Sequence, residues 1–295
     1  MAAGDSKRVV VAALIANLGI AVAKAVAAVF TGSGAMLAET VHSLADSGNQ
    51  ALLLLGAHRA KRPPDQRHPF GYGSERYFWA FIVAVVLFSL GALFSLFEGV
   101  HKLLHPQVLA QPGWAYGVLL TGLVLEGTSF RIAQVSVRRV RGGRRFWPYF
   151  FESKEPALPL VYLEDLGALF GLCLALLGVA ASHLLGWTWA DGAATLAIGL
   201  LLGALATVLL IRCHRLLVGE SATPQDLAAV RAAAAGVDGI SEVVDVKTLQ
   251  IGPEYLLVCL EVRIAGEDEE REVRAVERAV RAAVPSAKYV SIEPV

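Results

Sequence analysis

The chain has 295 residues, 55% of them hydrophobic and 18% charged, and a mean hydropathy of +0.55. Soluble domains carry about 25% charged residues, so the composition excludes an ordinary soluble globular protein. Basic and acidic residues both number 26, and a formal net charge of zero offers nucleic acid no attracting field.

Lys7-Arg8 leads directly into an apolar run, so no cleavable signal peptide is expected. Runs able to cross a bilayer, about 20 residues, recur at Val9–Phe30, Ala35–Ala57, Tyr77–Leu104, Trp114–Val137, Leu158–Leu185 and Ala190–Ile211. The sequence therefore predicts an α-helical membrane protein with six transmembrane helices. Thr31-Gly32-Ser33-Gly34, a tight uncharged turn, should fold the first two spans into a hairpin. Lys24 and Asn17 lie within the first span. Lys24 either snorkels to an interface or pairs with Glu39, Glu126 or Glu164.

The second span carries Glu39, His42, Asp46 and Asn49. His42 and Asp46 are four residues apart and so share one helical face, with Glu39 and Asn49 close to it. As a mere interhelical pair they would gain ~0.6 kcal/mol, against ~2.5–3.5 kcal/mol for placing an aspartate near the bilayer centre. An imidazole and a carboxylate converging in this way form half of a divalent-cation site. Asn49 reads more simply as a helix–helix hydrogen bonder. Further along, Glu98 lies near a span end and Glu126 lies deeper. Trp187 and Trp189 read as an interfacial belt, and His58, His101, His105, His183 and His214 sit near span ends.

Orientation follows the basic residues. Arg59, Lys61, Arg62, Arg67 and Arg76 lie between the second and third spans, and Arg138 to Arg145 with Lys154 lie between the fourth and fifth. The positive-inside rule then puts both termini in the cytoplasm. The Arg138–Arg145 run also suits anionic lipid, and no interleaved aromatics suggest RNA.

After about Gly219 the chain changes character. Thr223 and Pro224 form a helix start, with the helix running to Ala235 and ended by Gly236. Glu242–Leu249 and Tyr255–Ile264 read as strands joined by a turn at Ile251-Gly252-Pro253. Glu269–Val284 has helical period, and Lys288–Ile292 is a last strand. The expectation is a transmembrane domain over 1–218 and a small cytoplasmic α/β domain over 219–295, ferredoxin-like in its α-β-β-α-β order. At about 75 residues such a tail is marginal alone, so docking or dimerisation should support it. Cys173, Cys213 and Cys259 show no paired spacing and read as packing residues.

Six spans, a charged second span and an α/β tail resemble the cation diffusion facilitator family over essentially the whole chain. The most specific stretches are Ala38-Glu39 with His42-Ser43, Ala45-Asp46 and Asn49, then Asp65-Gln66-Arg67-His68-Pro69-Phe70-Gly71-Tyr72-Gly73. The resemblance implies a six-helix bundle, usually a homodimer, that exchanges a divalent metal for protons at a site between the second and fifth spans. It assigns ligands to His42, Asp46 and Asp165. The fifth-span histidine of the family pattern is Val161 here, and Glu164 stands beside Asp165. Adjacent helical residues point about 100° apart, so Glu164 is expected to contribute only through rotation or unwinding. The Leu163-Glu164-Asp165 variant resembles the branch that includes mitochondrial zinc transporters.

The family's second site falls on Asp65 and His68, with Tyr72 at its further histidine. A third, in the tail, falls near Val244, Cys259 and Glu293. No histidine follows His214, so a tail that dimerises without metal is the simpler expectation. Zinc is the expected transported ion, with Mn2+, Fe2+ and Co2+ as alternatives and protons as counter-ion. A manganese or iron exporter, or a membrane metal sensor that does not transport, is the alternative reading. An intramembrane metallohydrolase would need a motif such as HExxH, which is lacking, so no enzyme is expected. The compact length and the lack of a targeting segment suggest a bacterial plasma membrane.

Overall fold

Apolar runs become helices along the first two thirds of the chain: α1 (Ala3–Thr31), α2 (Gly34–Arg59), α3 (Glu75–Val86), α4 (Phe94–Leu104), α5 (Pro112–Arg141), α6 (Phe146–Glu152), α7 (Ala157–Leu184) and α8 (Ala190–Val218). The computed structural model describes residues 3–32, 34–106, 112–266 and 268–295. The side chains of residues 3–13, 15–16, 34–35, 38–39 and 42 lie outside that description. A π-helical segment, Leu87–Leu93, joins α3 to α4 without a break. Among the described residues, Glu75–Leu104, α5, α7 and α8 are long and apolar enough to cross a membrane, and Asn17–Thr31 of α1 is a shorter apolar stretch.

Two compact units share the chain. The first comprises Met1–Leu55, Trp79–Phe146 and Ala157–Ile211; the second comprises Gly56–Phe78, Trp147–Pro156 and Arg212–Val295.

In the first unit α5 packs along α7 and α1. The backbones of α4 and α8 approach closely where a Cβ on Gly99 would meet Leu196 N and one on Gly199 would meet Leu96 N. Small residues permit such contact between helices that gain little from burial in lipid. The buried stripe of α2 is polar: Thr40, Ser43, Asp46, Ser47, Asn49 and Gln50. Thr40 and Ser47 return their hydroxyls to the carbonyls of Met36 and Ser43.

The second unit holds the tail. Thr223 caps α9 (Pro224–Ala235), accepting a bond from Asp226 N–H, and Gly236 is its C-cap. β1 (Ile240–Gly252) pairs antiparallel with β2 (Tyr255–Ile264). The chain then crosses through α10 (Glu269–Ala283) to β3 (Ala287–Pro294), which is parallel to β2, so the sheet order is β1-β2-β3. Leu256, Val258, Leu260 and Val262 of β2 alternate inward against Val230 and Ala234 of α9 and Val276 and Val280 of α10. The period-2 pattern leaves Cys259 and Arg263 on the open face.

The same unit gathers the segments around the tail. Ser74 Oγ donates to Ile251 O at 2.9 Å, Phe70 meets Tyr289 edge-on at 5.1 Å, and Gly73 lies backbone to backbone against Gly252. Arg212 donates to Phe150 O and to Glu220, and Lys154 bonds the other oxygen of Glu220 at 2.8 Å. Burial alone would raise the Glu220 pKa. The hydrogen bond from Lys154 and the Arg212 charge outweigh it and hold the carboxyl below its ordinary value.

Candidate metal-binding site

Among the described residues five carboxylates are buried inside the first unit; Asp191 lies at the start of α8, and the other four are Asp46 on α2, Glu126 on α5, and Glu164 and Asp165 on α7. None is more than 7% exposed. Glu164 Oε1 accepts a 2.8 Å bond from Asn49 Nδ2, and Asp165 Oδ2 accepts a 3.1 Å bond from Ser129 Oγ. Asp46 lies within electrostatic range of both acids, and Glu126 within range of Asp165.

α7 is regular through Glu164 and Asp165, which corrects the expected geometry of Glu164. No rotation or unwinding is needed for it to face α2. The 100° between neighbours directs Glu164 to α2 and Asp165 to α5. His42 lies on α2 one turn before Asp46, and its side chain, like that of Glu39, lies outside the described residues. Among the described residues no three His, Cys, Asp or Glu side chains are drawn into a coordination shell.

Lys24 is fully buried, and its Nζ donates to Ser43 Oγ of α2 at 2.7 Å. Snorkelling is thereby excluded. Ser129 and Ser43 are the polar partners that sequence reasoning did not single out.

Residues 10–218 match the cation efflux transmembrane domain. The chain belongs to the cation efflux family. Among its relatives is the mitochondrial proton-coupled zinc antiporter SLC30A9 of Xenopus laevis, 34% identical over 265 residues, covering 89% of this chain and 47% of that one. Metal tolerance protein C4 of Arabidopsis thaliana is 31% identical over 237 residues, covering 80% and 52%. The metal cation efflux system protein CzcD of Cupriavidus metallidurans is 28% identical over 200 residues, covering 67% and 57%. This chain spans about half the length of the first two. None of the three is named as an enzyme. They lend no support to the expected bacterial plasma membrane, since the first is named mitochondrial. A multi-pass membrane protein is the placement that the family and the apolar helices carry.

At the family's second site the loop after α2 is self-contained. Asp65 Oδ1 accepts from the N–H groups of Arg67 and His68 at 2.9 and 2.7 Å, and Tyr72 donates its hydroxyl to Oδ2 at 2.6 Å. His68 Nδ1 stands 3.4 Å from Oδ1, and its ring lies 4.3 Å from that of Tyr72. The Tyr72 hydrogen bond, then that of His68, hold the Asp65 carboxyl below its ordinary pKa, and Asp65 raises that of Tyr72 in return. Asp65 thus anchors the turn through both oxygens. Near the proposed tail site, Val244, Cys259 and Glu293 are all exposed.

Proposed function

We propose that this cation efflux protein exchanges zinc for protons across a membrane by alternating access. The observation that supports this best is the gathering of four buried carboxylates, Asp46, Glu126, Glu164 and Asp165, around the α2–α5–α7 contact. Like charges brought together in a low-dielectric interior repel one another. Such a cluster favours bound protons or a cation, and the two compete for the same lone pairs.

In this reading six helices span the bilayer: α1, α2, α3 with α4, α5, α7 and α8. Both termini are cytoplasmic, and two copies associate through the tail sheet without metal. Zinc is the substrate. His42 and Asp46 from α2 and Glu164 and Asp165 from α7 form its ligand set, closing on the ion from two helices. Glu164 supplies the donor that Val161 lacks. Asn49 and Ser129 hold the two α7 carboxylates in register, as partners behind metal ligands generally do. Protons delivered from the far side displace the ion, and the neutralised site returns empty. One imidazole among three carboxylates also accepts manganese, iron or cobalt, and these are the competing substrates. Asp65 and His68 are a weaker second site whose lone pairs largely serve the loop.

The purified full chain in proteoliposomes should move Zn2+ in exchange for protons when a pH gradient is imposed, and Asp46→Ala should abolish the exchange. Zinc binding without flux would favour the sensor, and full flux in Asp46→Ala would refute the site.

A further inference from the structure

Two histidines end α4 and have no place in the transport cycle above. His101 lies in the last turn and His105 is the C-cap, its backbone N–H donating to His101 O at 2.9 Å. Residues four apart share one helical face, so both rings project from the same side, and both residues are exposed. The end of α4 lies beside the turn that joins α1 to α2, since Lys102 Nζ donates to Gly32 O at 2.6 Å. Asp46 is 12 residues from the start of α2 at Gly34, and Asn49 is 15. At 1.5 Å per residue the carboxylate cluster is about 18–22 Å further along α2. The histidines are therefore a separate feature.

Two distances bear on what the pair can do. The ring centres stand 5.0 Å apart. With Zn–N bonds of about 2.0–2.1 Å, two imidazoles on one ion hold their centres about 4.5–5.3 Å apart, at angles from octahedral to tetrahedral. His105 Nδ1 stands 3.3 Å from His101 O. A carbonyl only accepts, so this bond requires the proton on Nδ1 and leaves the lone pair of the neutral ring on Nε2. Metal-binding histidines generally donate their other nitrogen in this way. Phe97 stacks on His101 with centres 6.4 Å apart, so a ladder of packed rings is the competing account. Stacking makes no use of a ring nitrogen, whereas the bond to His101 O fixes one.

We propose that His101 and His105 form a surface site for a divalent cation that favours imidazole, such as Zn2+, Ni2+ or Cu2+ over Mn2+, with water completing the shell. Two histidines four apart on one helical face are a recurrent zinc-binding pair. The neighbouring Lys102 ammonium is turned to Gly32 O. In the orientation proposed above, the Gly32 turn faces the side to which the ion is delivered, so the pair is placed to hold cargo that has left the carboxylates. That placement rests on the transport reading; the site itself does not.

H101F and H105F each keep a ring in the ladder and remove one nitrogen ligand. The full-length parent and both variants are checked for monodispersity in detergent, titrated with Zn2+ and with Mn2+ by calorimetry, and assayed for zinc flux in proteoliposomes. The parent should show a Zn2+ site, absent for Mn2+, whose affinity falls at least about tenfold in each variant, while zinc flux persists in both. Equal zinc binding in all three proteins would overturn the proposal and leave a packing ladder. So would loss in one variant alone, since the ion needs both rings, or a Mn2+ site of equal strength lost in the same variants. A parent that binds zinc at this pair and moves none would strike the transport reading and leave the site standing.

Discussion

Asn49→Ala tests how Glu164 takes part in binding. The bond from Asn49 Nδ2 to Glu164 Oε1 is 2.8 Å long, and Asn49 is wholly buried, so no solvent replaces the lost donor. Hydrogen bonds to charged groups contribute ~1.5–3 kcal/mol. At ~1.4 kcal/mol per tenfold, that is a loss of roughly 10- to 150-fold in zinc affinity if Glu164 is a ligand that Asn49 orients. Outer partners of metal ligands generally cost about 10–100-fold, in agreement. Zinc titration of the detergent-solubilised chain measures the loss directly. Glu164→Gln and the double variant complete a cycle, in which the coupling should reach ~1.5 kcal/mol or more. Affinity within twofold of the parent in Asn49→Ala, or full additivity in the cycle, would show that Glu164 is held for packing and does not ligate.

Ser129→Ala removes the 3.1 Å bond to Asp165 and, as a neutral donor to one oxygen, should weaken zinc binding by about 5- to 10-fold (~1 kcal/mol), read in the same titration. Glu220→Gln should destabilise the second unit by ~2 kcal/mol, since it leaves buried Arg212 and partly buried Lys154 without their common acid; thermal unfolding of the full chain measures it. Because the Glu220 pKa is lowered in the folded protein, its contribution is complete above the ordinary carboxylate range. It is lost as pH falls through the lowered value, a dependence that the glutamine variant should lack. Val161→His places an imidazole one turn before Asp165 and should raise the zinc-to-manganese flux ratio about tenfold, measured with both ions present; an unchanged ratio would separate position 161 from the ligand shell.

Helix positions were legible because hydropathy and capping are local. Thr223 and Gly236 bound α9 as their chemistry requires, and Tyr255–Ile264 matches β2 end to end. Two elements were not legible. The seven residues of α6 sit between Arg145 and Pro156, too short for a periodic signal, and the π segment Leu87–Leu93 depends on packing that no local pattern encodes. Ser129 was hidden for a different reason. Thr121, Ser136 and Thr207 each return their hydroxyls to carbonyls one turn back, and nothing near Ser129 in the sequence distinguishes it from these. The Asn49–Glu164 bond was hidden because spacing along α7 alone does not tell which neighbouring helix each of two adjacent residues meets. Burial on two sides lets adjacent residues face different helices.

That division bears on the proposed cycle. The Ser129–Asp165 bond lies between α5 and α7, which pack along each other. The Asn49–Glu164 bond runs from α7 to α2. In the proposed cycle a rocking of the α1–α2 hairpin against the α5–α7 pair would part Asn49 from Glu164 and leave Asp165 with Ser129. Glu164 would then be the acid whose surroundings change, and Asp165 would travel with the α5–α7 pair. An ion held by Asp46 and Glu164 together would bridge the surfaces that separate, so its binding would favour the closed contact and its release would permit opening. A ligand shell divided between two moving helices couples occupancy to access in this way, which one confined to α7 would not do.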